Sequence, residues 1–175
     1  MDLVIRDVAL ADAEAIVGIL NPIIAARIYT AFSEPFSVDA ERQYIAQFPP
    51  RGVWKVATRR ADRHIVGFQV LEPFGPYTQA FDHVATIGTY VDLGQRRQGI
   101  ARSLFRETFT VARRKGYEKI FTFIRSDNSA ALAAYQTVGF EIVGVARQHA
   151  KIDGRYVDEI LIERALTDGS HDRRR

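Results

Sequence analysis

Apolar residues recur along this chain with two periods, and the switches between them mark out its elements. Leu3 to Ile5 reads as a short strand. From Asp12 to about Thr30 the positions Ile16, Leu20, Ile23, Ile24 and Ile28 repeat at helical spacing, with Asp12 as N-cap. Pro22 falls inside that repeat and predicts a kink or break. Ser37 suits the cap of a second helix through Tyr44 and Phe48, stopped by Pro49 and Pro50. The runs "VWKVATRR" and "IVGFQVLEPFG" read as two strands around the turn "ADRH", and "HVATIGTYV" as another strand. An amphipathic helix opens near Gly99, carries Ile100, Leu104, Thr108 and Val111 on one face, and closes at Lys115 and Gly116. "KIFTFI" reads as a buried strand, and "DNSAALAAYQTVGF" as a short helix capped by Asp127 or Asn128 and stopped at Gly139. The rest, through "IDGRYVDEILIERAL", reads as two strands joined by the turn residues Asp153 and Gly154. This order predicts a mixed α/β fold with a partly antiparallel sheet.

Composition narrows the function classes without choosing among them. The 175 residues make one domain's worth, expected over 1–167, with 168–175 a polar tail closing on three arginines. A net charge of +3 with no basic stripe or reading module argues against nucleic acid as a partner. No apolar run approaches the ~20 residues that span a bilayer, so no membrane partner is expected. The absence of a signal-peptide layout favours the cytoplasm. There is no cysteine, and the four histidines show no metal-ligand spacing, so no metal is expected.

The chemistry begins at Arg96-Arg97-Gln98-Gly99-Ile100-Ala101. This hexad follows a β-rich run and opens a helix, where unpaired N–H groups and the positive dipole end make an anion site. Gly99 lets a phosphate approach the backbone, Ala101 keeps the next turn small, and the two arginines add charge-assisted contacts. No Gly-Lys-Ser/Thr ending of a P-loop and no GxGxxG are present, which argues against nucleotide folds of those kinds.

Together, "TYVDLGQRRQGIARSLF" and "IRSDNSAALAAYQTVGFEIVG" resemble the GNAT superfamily of acetyl-CoA-dependent N-acetyltransferases. "IRDVALADAEAIVGILN" and "DGRYVDEILIERAL" extend the likeness toward its phosphinothricin-acetyltransferase-like branch, over about residues 3 to 166. The resemblance implies a mostly antiparallel central sheet, flanked by helices and splayed between its fourth and fifth strands, with the pantetheine arm of coenzyme A lying in the gap. It implies main-chain contacts to that arm from Tyr90, Val91 and Leu93, and phosphate contacts from Arg96, Arg97, Gln98, Gly99, Ile100, Ala101 and Arg102. The Val91 N–H would polarise the thioester carbonyl and hold the oxyanion. Asn128 and Ala131 would meet the cofactor, and Tyr135 would donate a proton to the departing thiolate. A cap role and a cofactor role for Asn128 are compatible, because one side-chain amide both accepts and donates.

Relatives in that branch place a glutamate five residues before the position of Val91, where this chain has Thr86. Threonine is no general base near neutral pH, so Asp82, His83 or Glu34 become the candidates, and a phosphinothricin substrate is put in question. The aromatic loops "RIYTAFSEPFS" and "EPFGPYTQAF" are the expected acceptor contacts, with Arg27 a partner for a substrate carboxylate or phosphinate. The expected activity is direct acetyl transfer from acetyl-CoA to a primary amine of a small amino acid-like molecule. The alternatives are a protein or peptide amine as acceptor, or a non-catalytic acyl-CoA-binding domain. Relatives often pair through their C-terminal strands, so a homodimer is expected.

Overall fold

Strand register explains how this chain builds two differently lined faces. The computed structural model describes residues 2–167; the polar tail expected over 168–175 lies outside the described residues. Seven strands form one sheet: β1 (Leu3–Asp7), β2 (Val53–Arg59), β3 (Ile65–Pro73), β4 (Val84–Val91), β5 (Lys119–Arg125), β6 (Glu141–Ile152) and β7 (Arg155–Ala165). Their spatial order is β1-β2-β3-β4-β5-β7-β6. All neighbours are antiparallel except β4 and β5, which run parallel and pair only at Val84 with Lys119 and Ala85 with Ile120. Beyond those two pairs the strands part, which opens the sheet between its fourth and fifth strands.

Four helices cover the two faces: α1 (Ala13–Ala25), α2 (Val38–Ala46), α3 (Ile100–Arg114) and α4 (Ser129–Gln136). Ile16, Leu20, Ile23 and Ile24 of α1 pack on Trp54, Val56 and Phe68. These strand residues, together with Val70 and Tyr90, share one face of the pleat. On the other face Ile100 and Leu104 of α3 meet Ala57 and Val66, while Phe105, Phe109 and Ala112 meet Leu71, Ala85 and Tyr135. Among the described residues, no helix is long and apolar enough to cross a membrane.

Four local expectations are refined. The first helix runs unbroken through Pro22, because that residue is exposed, in the last turn, and one turn after Gly18. It ends at Ala25, short of Thr30, and Arg27 takes a left-handed φ of 60°. Asp12 does not cap it through its side chain; the carboxylate instead takes a bidentate pair from Arg6 at 2.7 and 2.8 Å. Of the two candidate caps on α4, Asn128 is the one used: its Oδ1 accepts from the Ala131 N–H at 3.2 Å.

Candidate active site

The parting of β4 from β5 leaves backbone without strand partners. The Asp92 N–H donates to Val66 O and the Phe74 N–H to Val84 O, both at 3.0 Å. In an antiparallel ladder the bonded positions alternate, so even-numbered residues of β4 serve β3. Odd-numbered residues, Thr89 and Val91 among them, turn their N–H and C=O groups toward β5, which pairs with neither. Thr122 Oγ1 bridges the foot of the gap by donating to Ile87 O at 3.1 Å.

Above that foot lie two adjoining cavities. The first, of about 350 Å³, runs along the N-terminal turn of α3 and the flank of α4. Its wall includes Tyr90, Val91, Arg96, Arg97, Gly99, Ile100, Ala101, Arg102, Asn128, Ala131 and Tyr135. Leu93 and Gln98 lie outside this wall, on the exposed side of the turn that leads into α3. Gly99 is the N-cap with a left-handed φ of 78°, and a Cβ there would meet no atom within 4 Å. The glycine therefore serves the turn's conformation and an open approach to the amides, not internal packing. Arg96 stacks over the Tyr29 ring at 3.9 Å, while Arg97 and Arg102 are exposed. An arginine-flanked helix N-terminus beside a free strand edge fits a diphosphate joined to an extended amide-bearing arm, the chemistry of coenzyme A.

The second cavity, of about 420 Å³, lies on the α1 and α2 side of the sheet. Tyr29, Thr89, Tyr90, Asn128, Ala131 and Tyr135 border both spaces. Tyr135 is buried, and its hydroxyl lies 3.0 Å from Thr89 Oγ1, which accepts from Gln69 Nε2 at 2.8 Å. Burial pushes the Tyr135 phenol up to about 12, against the opposing effect of the Thr89 hydrogen bond, so it keeps its proton at neutral pH. Asn128 Nδ2 donates to Tyr29 O at 3.3 Å, which leaves one amide hydrogen uncommitted to these contacts.

The residues first considered as bases are elsewhere. Asp82 and His83 are exposed and line neither cavity; Asp82 pairs with Arg51 at 3.3 Å. Glu34 is also exposed and outside both. Arg27 is outside too, donating to Ser33 O at 2.6 Å and lying 3.6 Å from Asp153. The loop between α1 and α2 does reach the second cavity, through Tyr29, Thr30, Ala31, Phe32 and Phe36. Asn21 clamps it by exchanging hydrogen bonds with the Phe36 backbone at 3.0 and 2.9 Å.

Sequence reasoning missed three carboxylates in that wall: Glu41, Glu72 and Glu159. Glu72 of β3 stands directly opposite Thr86 of β4, so the two side chains share a face. Glu72 makes no ion pair among the described residues. Burial, and then the Glu72 carboxylate, push the neighbouring Tyr44 phenol well above its ordinary value. Glu41 is only 3% exposed, and burial raises its carboxyl above the usual range. Glu159 is raised by burial as well, opposed by His149 and Arg125. The one sequence signal for Glu72 was the even spacing of apolar residues in β3, which fixes its face but not its partner.

Known proteins resemble this chain in sequence and in fold. A model described as the Acetyltransferase (GNAT) family matches residues 24–140. The phosphinothricin N-acetyltransferase of Streptomyces coelicolor is 25% identical over 157 residues, 89% of this chain and 91% of that protein. The L-amino acid N-acetyltransferase AaaT of Escherichia coli (strain K12) is 32% identical over 83 residues, 47% of this chain and 51% of that one. The crystal structure of a GNAT superfamily phosphinothricin acetyltransferase from Sinorhizobium meliloti in complex with AcCoA superposes with a TM-score of 0.88. It is 20% identical, covering 98% of this chain and 92% of that one.

Proposed function

The chain belongs to the acetyltransferase (GNAT) family, and from that premise we propose that it moves an acetyl group from acetyl-CoA to the primary amine of a small molecule. The observation that carries this reading is the meeting of an arginine-flanked cavity with a carboxylate-bearing one at Tyr135 and Thr89. When bound, acetyl-CoA supplies an activated thioester. The first amides of α3, with Arg97 and Arg102, hold its phosphates, and the free edge at Thr89 and Val91 hydrogen-bonds the arm. The Val91 N–H faces the gap, where it stabilises charge developing on the acyl oxygen.

An alkylamine is protonated at neutral pH, so the acceptor nitrogen needs a base before it can attack. Glu72 takes that role in place of the threonine opposite it. The nitrogen loses two protons, one to Glu72 before the C–N bond forms and one afterwards to solvent. As the C–S bond breaks, the sulfur takes a proton from Tyr135. With Gln69 donating into Thr89, the Thr89 hydroxyl can donate to the phenol oxygen and leave the phenolic proton free for the sulfur.

Free thiol released from acetyl-CoA across a panel of small primary amines tests the reading. Tyr135→Phe should lower kcat by about 10²-fold or more, with acetyl-CoA affinity changed by less than about two-fold. Full turnover by that variant would remove Tyr135 as the acid, and no thiol release with any amine would remove the transferase reading itself. The names of two relatives give phosphinothricin and L-amino acids, which is what supports the narrower expectation of an amino acid-like acceptor; the charge of the second cavity argues against it.

A further inference from the structure

The charge of the second cavity is unsuited to an amino acid. Glu41, Glu72 and Glu159 line it against a single basic side chain, Arg125. Four of its five N–H donors are already taken: its Nε and Nη2 donate to Asp127 at 2.9 and 2.6 Å, and its Nη1 donates to Arg27 O and Thr30 O at 2.7 and 3.1 Å. Among the described residues the one cation of this wall is thus already balanced by Asp127, against three carboxylates.

Glu41 is the more telling group. It projects from α2 into the cavity wall, is 97% buried by its 3% exposure, and has no ion pair or hydrogen bond to its side chain among the described residues. A buried carboxylate without a partner is costly, and a ligand cation removes that cost. The surrounding walls suit a cation as well. Tyr44, Trp54, Phe68 and Tyr90 all line the cavity, with Tyr44 and Trp54 5.1 Å apart and Phe68 and Tyr90 4.9 Å apart, and aromatic rings attract ammonium groups. The reacting nitrogen must shed its charge before attack, so it cannot remain the partner of Glu41. With Glu159 already faced by His149 and Arg125, Glu41 and Glu72 on one wall call for two nitrogens.

Resting on the acetyltransferase reading, we propose that the acceptor is a small diamine without a carboxylate: one ammonium is held by Glu41 among the aromatic rings, and the other nitrogen reacts beside Glu72 and Tyr135.

Three probes separate the charges: 1,4-diaminobutane, butylamine, which lacks the second nitrogen, and L-ornithine, which adds a carboxylate. Thiol release should give 1,4-diaminobutane a kcat/KM roughly ten-fold or more above both others. Glu41→Gln should collapse its advantage over butylamine. Equal or better use of butylamine or L-ornithine overturns the proposal, as does an advantage unchanged by Glu41→Gln. Calorimetric titration of 1,4-diaminobutane into protein saturated with coenzyme A needs no turnover. Binding that Glu41→Gln abolishes supports the cation site even if no amine releases thiol, an outcome that would remove the transferase reading alone. No binding, or binding indifferent to Glu41→Gln, overturns the site.

Discussion

Glu41 sets stability against function within a single side chain. Burial raises its carboxyl above the ordinary glutamate value of 4.5, so folding favours the protonated form. The sign follows from linkage: its contribution is fully present below that ordinary value and is lost as pH rises through the raised native one. Above the ordinary value the unpartnered group therefore weakens the unliganded fold. Glu41→Gln should melt above the wild type at pH 7, by about 1 kcal/mol or roughly 2–4 °C in a chain of this size. The two melting curves should converge near pH 4. Thermal denaturation across that range checks it, and a variant less stable than wild type at pH 7 would contradict an unpartnered carboxylate. Residues of this kind were not legible in the sequence, where Glu41 is one of several polar positions on α2. Tyr135 and Asn128 were picked out through the family resemblance, Asn128 as the cap of one short helix and Tyr135 seven residues later. That spacing, two helical turns, sets them on one side of the helix, and both border the same cavity.

At the scale of elements, register decides what a residue does. Thr86 and Glu72 occupy one antiparallel pair, and side chains so placed have Cβ atoms about 5 Å apart. A carboxylate can therefore be moved from β3 to β4 while staying beside the same cavity. Glu72→Gln should lower kcat/KM at pH 7 by about 10²-fold or more, and the loss should shrink as pH approaches the pKa of the amine, where the base is no longer needed. Adding Thr86→Glu to that variant should recover at least about ten-fold. Full activity in Glu72→Gln, or a loss that does not depend on pH, would show that the glutamate is not the base. This pairing could not be read from the chain, because register between β3 and β4 is a tertiary fact. Nor could the end of α1. Ile28 continued the apolar repeat, yet it is 46% exposed. Arg125, far along the chain, captures the carbonyls of Arg27 and Thr30 and holds that stretch as a loop. The start of α3 was legible, since a glycine between paired arginines and an amphipathic run states its own left-handed cap.

Across the whole molecule, a modest net charge of +3 conceals a division by sign. Arg96, Arg97 and Arg102 border the first cavity, whereas Glu41, Glu72 and Glu159 border the second, and the wall of Thr89 and Tyr135 lies between. On the proposed reading an anionic donor and a cationic acceptor would each be drawn to their own side of the sheet and meet where the wall is shared. The two attractions differ in their exposure to salt. Arg97 and Arg102 stand in solvent, where the screening length falls from about 10 Å at 0.1 M salt to about 3 Å at 1 M. Glu41 is 3% exposed and lies within the cavity wall, so ions screen it less than the two arginines. Raising salt from about 50 to about 500 mM should therefore raise KM for acetyl-CoA several-fold, while KM for 1,4-diaminobutane moves by less than about two-fold. Initial rates with each substrate varied in turn measure both. A diamine KM that climbs as steeply as that of acetyl-CoA would mean its second ammonium is held at the surface and not at Glu41.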